Sequence, residues 1–270
     1  MKRIKKTLLT IALPIIGLLS TAEAHRIWMI PSTSTLSGED QWISVEAAIS
    51  NDLFFPNHYP VPLKFVKATS PSGKELELRS TAEGKIRSSF EVLLEEKGSY
   101  RIAYENKMLF VSWKENGEYK RFRGTREQAE EKELKGKEAL KFGEYFTRVE
   151  TIVTSGTPSD LKLKGTGVEF SFETHPNDLY FGETARFQVL LDGEPQAECT
   201  VTVIKGNDRF RDSVDEIEVK SDSEGFIEIN WPSAGRYWIE AYIETEPGEF
   251  LGKPVTCGSD YVLTVEVLPE

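Results

Sequence analysis

Short segments of alternating apolar and polar residues, separated by turn-forming residues, repeat along most of this chain. The segment QWISVEAAI (residues 41–49) places Ile43 and Val45 on one face and Ser44 and Glu46 on the other. That period of two is typical of a half-buried β-strand. Such segments recur at a spacing of roughly 8–12 residues, which is the rhythm of a β-sandwich. We therefore predict an all-β chain.

The predicted strands fall into two groups. Residues 25–160 form a predicted N-terminal β-sandwich domain, and residues 161–270 form a predicted C-terminal Ig-like β-sandwich domain. Within the N-terminal domain, residues 125–146 are rich in Glu, Lys and Ala, which favour helix, and glycines limit the length of any helix there. We predict two Ig-like or transthyretin-like β-sandwich modules with a short helical insertion near 125–146.

The second module resembles the transthyretin-like or Ig-like domains of exported bacterial proteins. The stretches LLDGEPQAECTVTV (190–203) and SDSEGFIEINWPSAGRYWIEA (221–241) carry that resemblance. It implies a sandwich and no particular activity, because function depends on sites and not on the fold.

The first 24 residues have the pattern of a secretory signal peptide. Basic residues precede an apolar stretch at 7–20, and the small-x-small sequence Ala22-Glu23-Ala24 follows it. The apolar stretch is too short for a typical membrane span. We predict cleavage after Ala24, a periplasmic location and no membrane span in the mature chain.

The charge and the cysteines limit the partners. The net charge of −11 becomes about −14 when residues 1–24, with four basic residues and one acidic residue, are removed. An acidic protein repels phosphate backbones, so we expect no nucleic-acid partner. Cys199 and Cys257 are the two cysteines. An oxidising compartment permits a disulfide between them, and two buried thiols are the alternative.

The chain contains three histidines: His25, His58 and His175. Cleavage after Ala24 would leave His25 as the first residue, where its imidazole and its α-amino group can bind the same metal ion. His58 and His175 lie in predicted loops, one in each module. We predict a metal site formed by His25, His58 and His175, which would hold copper, nickel, cobalt or zinc.

Each histidine also has a structural alternative, since a turn histidine can simply hydrogen-bond the backbone. Three aspartates are weaker candidates for oxygen ligands: Asp52, Asp178 and Asp260. The sequence has no Gly-rich phosphate loop, Gly-x-Ser-x-Gly, Cys-x-x-Cys or His-Glu-x-x-His motif. No spacing identifies a catalytic pair of carboxylates either. We therefore expect a binding protein rather than an enzyme.

Four stretches resemble the DUF4198 family, and all three histidines lie within them: AHRIWMIPSTSTLSG (24–38), NDLFFPNHYP (51–60), RVETIVT (148–154) and GVEFSFETHPNDLYFGE (167–183). The family groups with periplasmic proteins labelled as components of cobalt or nickel transport. The resemblance implies an exported, β-rich accessory protein for uptake of a metal ion or metal complex. Its partner would be an envelope transporter or an outer-membrane receptor.

Two other functional hypotheses stay open. An N-terminal histidine on a sandwich is also found in copper carriers of the CopC kind and in lytic polysaccharide monooxygenases, so a histidine-brace copper oxidoreductase is one alternative. A hydrolase that uses two carboxylates is the other form of the hypothesis that the protein is an enzyme. The other is an envelope interaction module that binds no metal.

Overall fold

The computed structural model describes residues 25–270, and the predicted signal segment, residues 1–24, lies outside that described range. Within residues 25–270, no helix is both long enough and apolar enough to cross a membrane. The α-helix α1 spans Arg126–Glu130, and 3-10 turns lie at Leu63–Phe65 and Asp208–Phe210. The strands are β1 (Arg26–Pro31), β2 (Thr35–Leu36), β3 (Gln41–Ser50), β4 (Tyr59–Pro60), β5 (Val66–Thr69), β6 (Glu75–Leu76), β7 (Arg79–Glu83), β8 (Ser88–Leu94), β9 (Gly98–Glu115), β10 (Glu118–Gly124), β11 (Glu138–Ser155), β12 (Val168–Phe172), β13 (Thr184–Leu191), β14 (Glu194–Pro195), β15 (Thr200–Lys205), β16 (Ile217–Lys220), β17 (Phe226–Asn230), β18 (Gly235–Phe250) and β19 (Lys253–Val267).

A ten-stranded central sheet forms the middle of the molecule. Its order is β16-β15-β18-β19-β11-β9-β5-β6, with β10 on β9 and β2 on β11. A second sheet, β1-β3-β8-β7 with β4, packs on one face, and a third sheet, β12-β13-β14 with β17, packs on the other. The prediction of an all-β sandwich fold is confirmed.

Side chains of the central strands alternate between two hydrophobic cores. Val149 and Val153 of β11 enter the core under β1 and β3, whereas Ile152 enters the core under β12 and β13. On β18, Trp238 joins the first core and Ile239 joins the second. Because strand side chains point alternately to opposite faces, one sheet serves both cores.

The central sheet takes strands from both predicted domains. β9 and β11 precede residue 160, whereas β15, β18 and β19 follow it, and the parallel pairing of β11 with β19 joins the two groups. The two cores correspond in position to the two predicted modules. The domain boundary near residue 160 stays a prediction.

The predicted helical insertion is shorter than residues 125–146. Helix α1 begins with a capping box between Thr125 and Gln128 and ends at Glu130. From Glu138 onward the chain is strand, so the prediction of helix is wrong for residues 138–146. β11 pairs with β9 on one side and β19 on the other, and Phe142 packs on Phe250 with ring centroids 5.2 Å apart. Those tertiary contacts override the local helix propensity.

Candidate metal centre and its adjoining cavity

The structure brings His25 and His58 into direct contact. Their ring centroids lie 4.1 Å apart, with the ring planes at 85°. His25 directly precedes β1 and His58 directly precedes β4, and both strands pair with β3 near its end. The shared neighbour β3 therefore explains why two histidines 33 positions apart in the sequence meet.

Hydrogen bonds hold the loop that carries His58. The Asn57 side chain donates to Asp52 Oδ2 at 2.9 Å and accepts from the backbone N–H of Asn51 at 3.2 Å. At the base of the loop, Trp28 Nε1 donates to Ser50 Oγ at 2.7 Å. Asp52, which the sequence analysis named as a weak candidate ligand, thus has a structural partner in this loop.

The separation of the two rings is close to what one metal ion requires. With metal–nitrogen bonds of about 2.0–2.1 Å, two imidazoles at adjacent positions have ring centres about 4.5–5 Å apart. The 4.1 Å contact would have to open by less than about 1 Å. Within residues 25–270, no three His, Cys, Asp or Glu side chains come together as a metal-binding group. The structure thus brings two side-chain nitrogen ligands together here, the imidazoles of His25 and His58.

His175 lies in a different part of the molecule. Its Nε2 lies 2.9 Å from Ser99 Oγ, and its Nδ1 accepts a hydrogen bond from the backbone N–H of Asn177 at 3.1 Å. With Nδ1 as the acceptor, Nε2–H donates to the serine. Burial lowers the pKa of His175 and favours its neutral form, and nearby Asp178 only partly offsets this effect.

The distance between His175 and the other histidines follows from β9. His175 contacts Ser99 at the start of this strand, whereas His25 lines a cavity together with Asn106 and Met108. Seven to nine residues of strand span about 23–30 Å. The structure therefore does not bring His175 to the other two histidines, and the three-histidine ligand set is reduced to His25 and His58.

A cavity of about 300 Å³ opens beside His25. The cavity lies where the central sheet extends past the ends of β1 and β3. A neighbouring cavity of about 830 Å³ shares several of its lining residues, including Tyr59 and Tyr104. Aromatic and polar side chains dominate its lining, which includes His25, Tyr59, Tyr104, Met108, Tyr145 and Asp260.

Asp260 is a half-buried residue whose carboxyl group lines this cavity. Its Oδ1 atom is buried and has no hydrogen-bond partner among the described residues. Burial raises the pKa of Asp260 to about 8, and the negative charge of Glu240 adds to the effect. Burial also raises the pKa of Glu240, although the charge of Arg26 opposes that shift. Of the three aspartates named from the sequence, Asp260 is the one that shares the cavity with His25.

The opposite face of the same strands carries a network of buried charges that the sequence analysis missed. Arg148 Nε donates to Glu105 at 2.8 Å, and its guanidinium lies 3.8 Å from Glu150 and 3.9 Å from Glu169. The Tyr261 hydroxyl donates to Glu150 at 2.9 Å. The available signal was that Arg148 and Glu150 alternate with apolar residues in RVETIVT, a strand that turns out to be buried on both faces.

Both cysteines are free thiols in the structure. Cys199 is buried, and burial raises the pKa of its thiol, while Cys257 is half-buried. The structure therefore has no disulfide between Cys199 and Cys257.

The sequence matches the family model described as a domain of unknown function, DUF4198, over residues 22–245. The chain belongs to this family. The matched range of DUF4198 includes His25, His58 and His175, and it ends before Asp260. Comparison with curated proteins gave no match.

Several solved structures are similar to this DUF4198 chain at low identity. The D0-D1 domain of intimin is 11% identical, and the alignment covers 89% of this chain and 97% of that one with a TM-score of 0.23. Salmonella alpha-2-macroglobulin reacted with methylamine is 11% identical over 89% of this chain and 15% of its own length, with a TM-score of 0.21. The Group B Streptococcus pullulanase SAP is also 11% identical, over 86% and 23%, with a TM-score of 0.20. These values carry no argument about activity.

Proposed function

We propose that this DUF4198 protein is a periplasmic accessory protein that binds a transition-metal ion or metal complex and assists its uptake. The observation that supports the proposal is the contact between the rings of His25 and His58 at 4.1 Å. After cleavage following Ala24, the α-amino group and imidazole of His25 and the imidazole of His58 offer three nitrogen ligands. Nitrogen ligands of this kind suit copper, nickel, cobalt and zinc.

The position of the two histidines fits delivery better than permanent storage. His25 is exposed and His58 is half-buried, so a partner protein can reach an ion held between them. Three protein nitrogens leave at least one coordination position open for an incoming ligand. The partner would be an envelope transporter or outer-membrane receptor, and the net charge of about −14 in the cleaved chain attracts cations toward the surface.

A second candidate is a histidine-brace copper oxidoreductase. It is favoured by the same donor set, because a brace consists of a terminal amine, its own imidazole and one further imidazole. The two candidates differ in turnover. Sustained consumption of a reductant with copper and oxygen, together with oxidised polysaccharide products, supports the oxidoreductase, whereas tight binding without turnover supports the carrier.

The experiment compares two forms of the protein by calorimetry with Cu(II), Ni(II), Co(II) and Zn(II). One form begins at His25, and the other carries one additional alanine before it. We expect the additional residue to lower the affinity for the preferred metal by about 100-fold or more, about 2.7 kcal/mol, because the α-amino group becomes an amide. Equal affinities for the two forms would overturn the N-terminal site. Absence of binding by both forms would favour the metal-free interaction module.

A further inference from the structure

Asp260 is half-buried, its Oδ1 atom is fully buried, and it forms no ion pair among residues 25–270. Its Oδ1 atom makes no hydrogen bond there, and the charged side chain that influences it is Glu240, which has the same sign. A buried carboxylate without a partner is costly, and native proteins rarely keep one without a use. The cation that also lines the cavity, Arg123, donates to Met108 Sδ and forms no ion pair with Asp260. A donor or cation at another part of the lining could therefore serve as its partner.

The packing of β1 on β18 identifies the nearest source of such a group. Trp238 Nε1 donates to the carbonyl of Ile27 at 2.9 Å, and the charge of Arg26 acts on Glu240. Trp238, Glu240 and Tyr242 lie on the same face of β18, because strand side chains alternate. Trp238 therefore contacts Ile27, and Glu240 lies near Arg26, at this junction of β18 and β1.

The next step along both strands leads to Asp260 and His25. Tyr242 is directly opposite Asp260 in the pairing of β18 with β19, and His25 precedes Arg26. The cavity lining agrees with this correspondence, since His25 and Asp260 both contribute to the same cavity of about 300 Å³. His25 and the unpartnered carboxyl of Asp260 thus line the same cavity.

We propose that cleavage after Ala24 creates the partner of Asp260, namely the α-amino group of His25, and that Asp260 is a positioning residue for the mature N-terminus. Hydrolysis of the Ala24–His25 peptide bond consumes one water molecule, leaves a carboxylate on Ala24 and frees an amino group on His25. As an ammonium, that group pairs with the Asp260 carboxylate. When the nitrogen lone pair binds a metal, a remaining N–H still donates to the same carboxylate.

Only the contact between Asp260 and a metal-bound amine rests on the proposed function. The pairing itself requires cleavage and no metal. Carboxylates behind a metal ligand orient that ligand and increase its basicity, and their removal typically costs 10–100-fold in affinity. Asp260 would therefore hold the amine of His25 in position beside the ring of His58.

The test is a double-mutant cycle on metal-free protein in the presence of a chelator. Four proteins are compared by urea unfolding at pH 7.5: the form beginning at His25, the form with one additional alanine, and each of these with Asp260→Asn. We expect Asp260→Asn to lower the unfolding midpoint of the form beginning at His25, because an ion pair is lost. In the alanine-extended form the same substitution should leave the midpoint unchanged or raise it, because an unpartnered buried carboxyl is removed.

A second readout separates positioning from a merely structural role. The chain has three histidines, so labelling with nitrogen-15 histidine gives a simple spectrum in which the α-amino group of His25 can be titrated. We expect its pKa to lie above the usual value of about 8, and to return toward that value in Asp260→Asn. An equal effect of Asp260→Asn in both forms, or an α-amino pKa that the substitution does not change, would overturn the proposal.

Failure of this proposal and failure of the proposed function are distinguishable. If the double-mutant cycle shows coupling but no metal binds, Asp260 anchors the N-terminus and the metal hypothesis is wrong. If metal binds to the form beginning at His25 with the same affinity when Asp260 is asparagine, and the cycle shows no coupling, the metal site stands without Asp260.

Discussion

The two faces of the central sheet contain buried polar groups in opposite situations. On the face under β12 and β13, Arg148, Glu150 and Glu169 lie within 4 Å of opposite charges or accept hydrogen bonds. On the other face, Asp260 lies in a cavity with neither kind of partner among the described residues. Buried charges that lie within ion-pair distance of opposite charges indicate architecture, even where single atoms such as Glu150 Oε1 lack a hydrogen bond, whereas a carboxyl with no ion pair and no hydrogen bond beside a cavity indicates a site.

The histidines differ in the same way. His175 uses both ring nitrogens in hydrogen bonds to Ser99 and Asn177, so neither is free for a ligand. His25 and His58 contact each other and Tyr59 at the surface. Turn position alone did not distinguish these cases in the sequence, but the hydrogen bonds of each ring do.

The largest effect is expected from breaking the buried charge network. Arg148→Met should lower the free energy of unfolding by about 3–5 kcal/mol, because buried Glu169 would lose its cation and buried Glu150 would keep only Arg101. Urea unfolding provides the measurement. Arg87→Met is the matched control, since the exposed pair of Arg87 and Glu46 should contribute no more than about 1 kcal/mol. Similar losses in the two variants would remove the distinction between the faces.

The next effect concerns metal affinity. In the form beginning at His25, His58→Ala should weaken binding of the preferred metal by about 100-fold, or about 2.7 kcal/mol, because one imidazole ligand is lost. His175→Ala is the control and should leave the affinity unchanged, since that ring is engaged at the start of β9. Calorimetry measures both. A large loss in His175→Ala with intact folding would restore the three-histidine site.

His175→Ala should instead affect stability, by about 1–3 kcal/mol, because Ser99 and Asn177 lose a buried hydrogen-bond partner. Its pH dependence has a definite sign. Burial lowers the pKa of His175 in the folded state, so below about pH 6.5 the unfolded chain binds a proton that the native protein does not. The contribution of His175 to stability should therefore decline as the pH falls from about 6.5 through the folded-state pKa. Thermal unfolding of the two proteins between pH 7.5 and 5 tests this, and a difference that does not vary with pH would contradict it.

The last effect is a slope with pH and concerns Asp260 in the alanine-extended form. The pKa of Asp260 is raised to about 8 in the folded protein, above its usual value, so the native state binds the extra proton between those values. Stability should fall as the pH rises through this window, by at most about 1.4 kcal/mol per pH unit, and Asp260→Asn should remove that slope. Urea unfolding at pH 5, 6 and 7 measures it. A slope of the opposite sign would mean that Asp260 already has a cationic partner in the extended chain.

Local sequence patterns predict those parts of the fold that depend on local contacts. The alternation of residues 41–49 corresponds to β3, and Asn116-Gly117 forms the hairpin turn between β9 and β10. Patterns could not predict that residues 138–146 are strand, because β11 gains its two partners from distant segments. For the same reason the sequence did not reveal that one sheet serves both cores.

The candidate site was predictable to a similar extent. The scarcity of histidine and the cleavage signal identified His25, and the Pro-rich loop drew attention to His58. Their contact depends on β1 and β4 pairing with the same strand, which no local pattern encodes. The surroundings of Asp260 come from the pairing of β19 with β18 and β11. The sequence alone therefore could not show that Asp260, rather than Asp52 or Asp178, lies beside His25.

The parallel pairing of β11 with β19 also has a consequence for the order in which the protein can fold. Tyr261 and Glu150, which hydrogen-bond across this pair, are 111 positions apart in the sequence. Contacts of such long range close late and slow the folding of β-rich chains. A newly made chain can therefore not join the two groups of strands in its central sheet until β19 has emerged from the ribosome. The function proposed above includes export, and for an exported chain such a delay would favour passage through a membrane channel before folding. Weakening the β11–β19 pair should slow refolding of the chain.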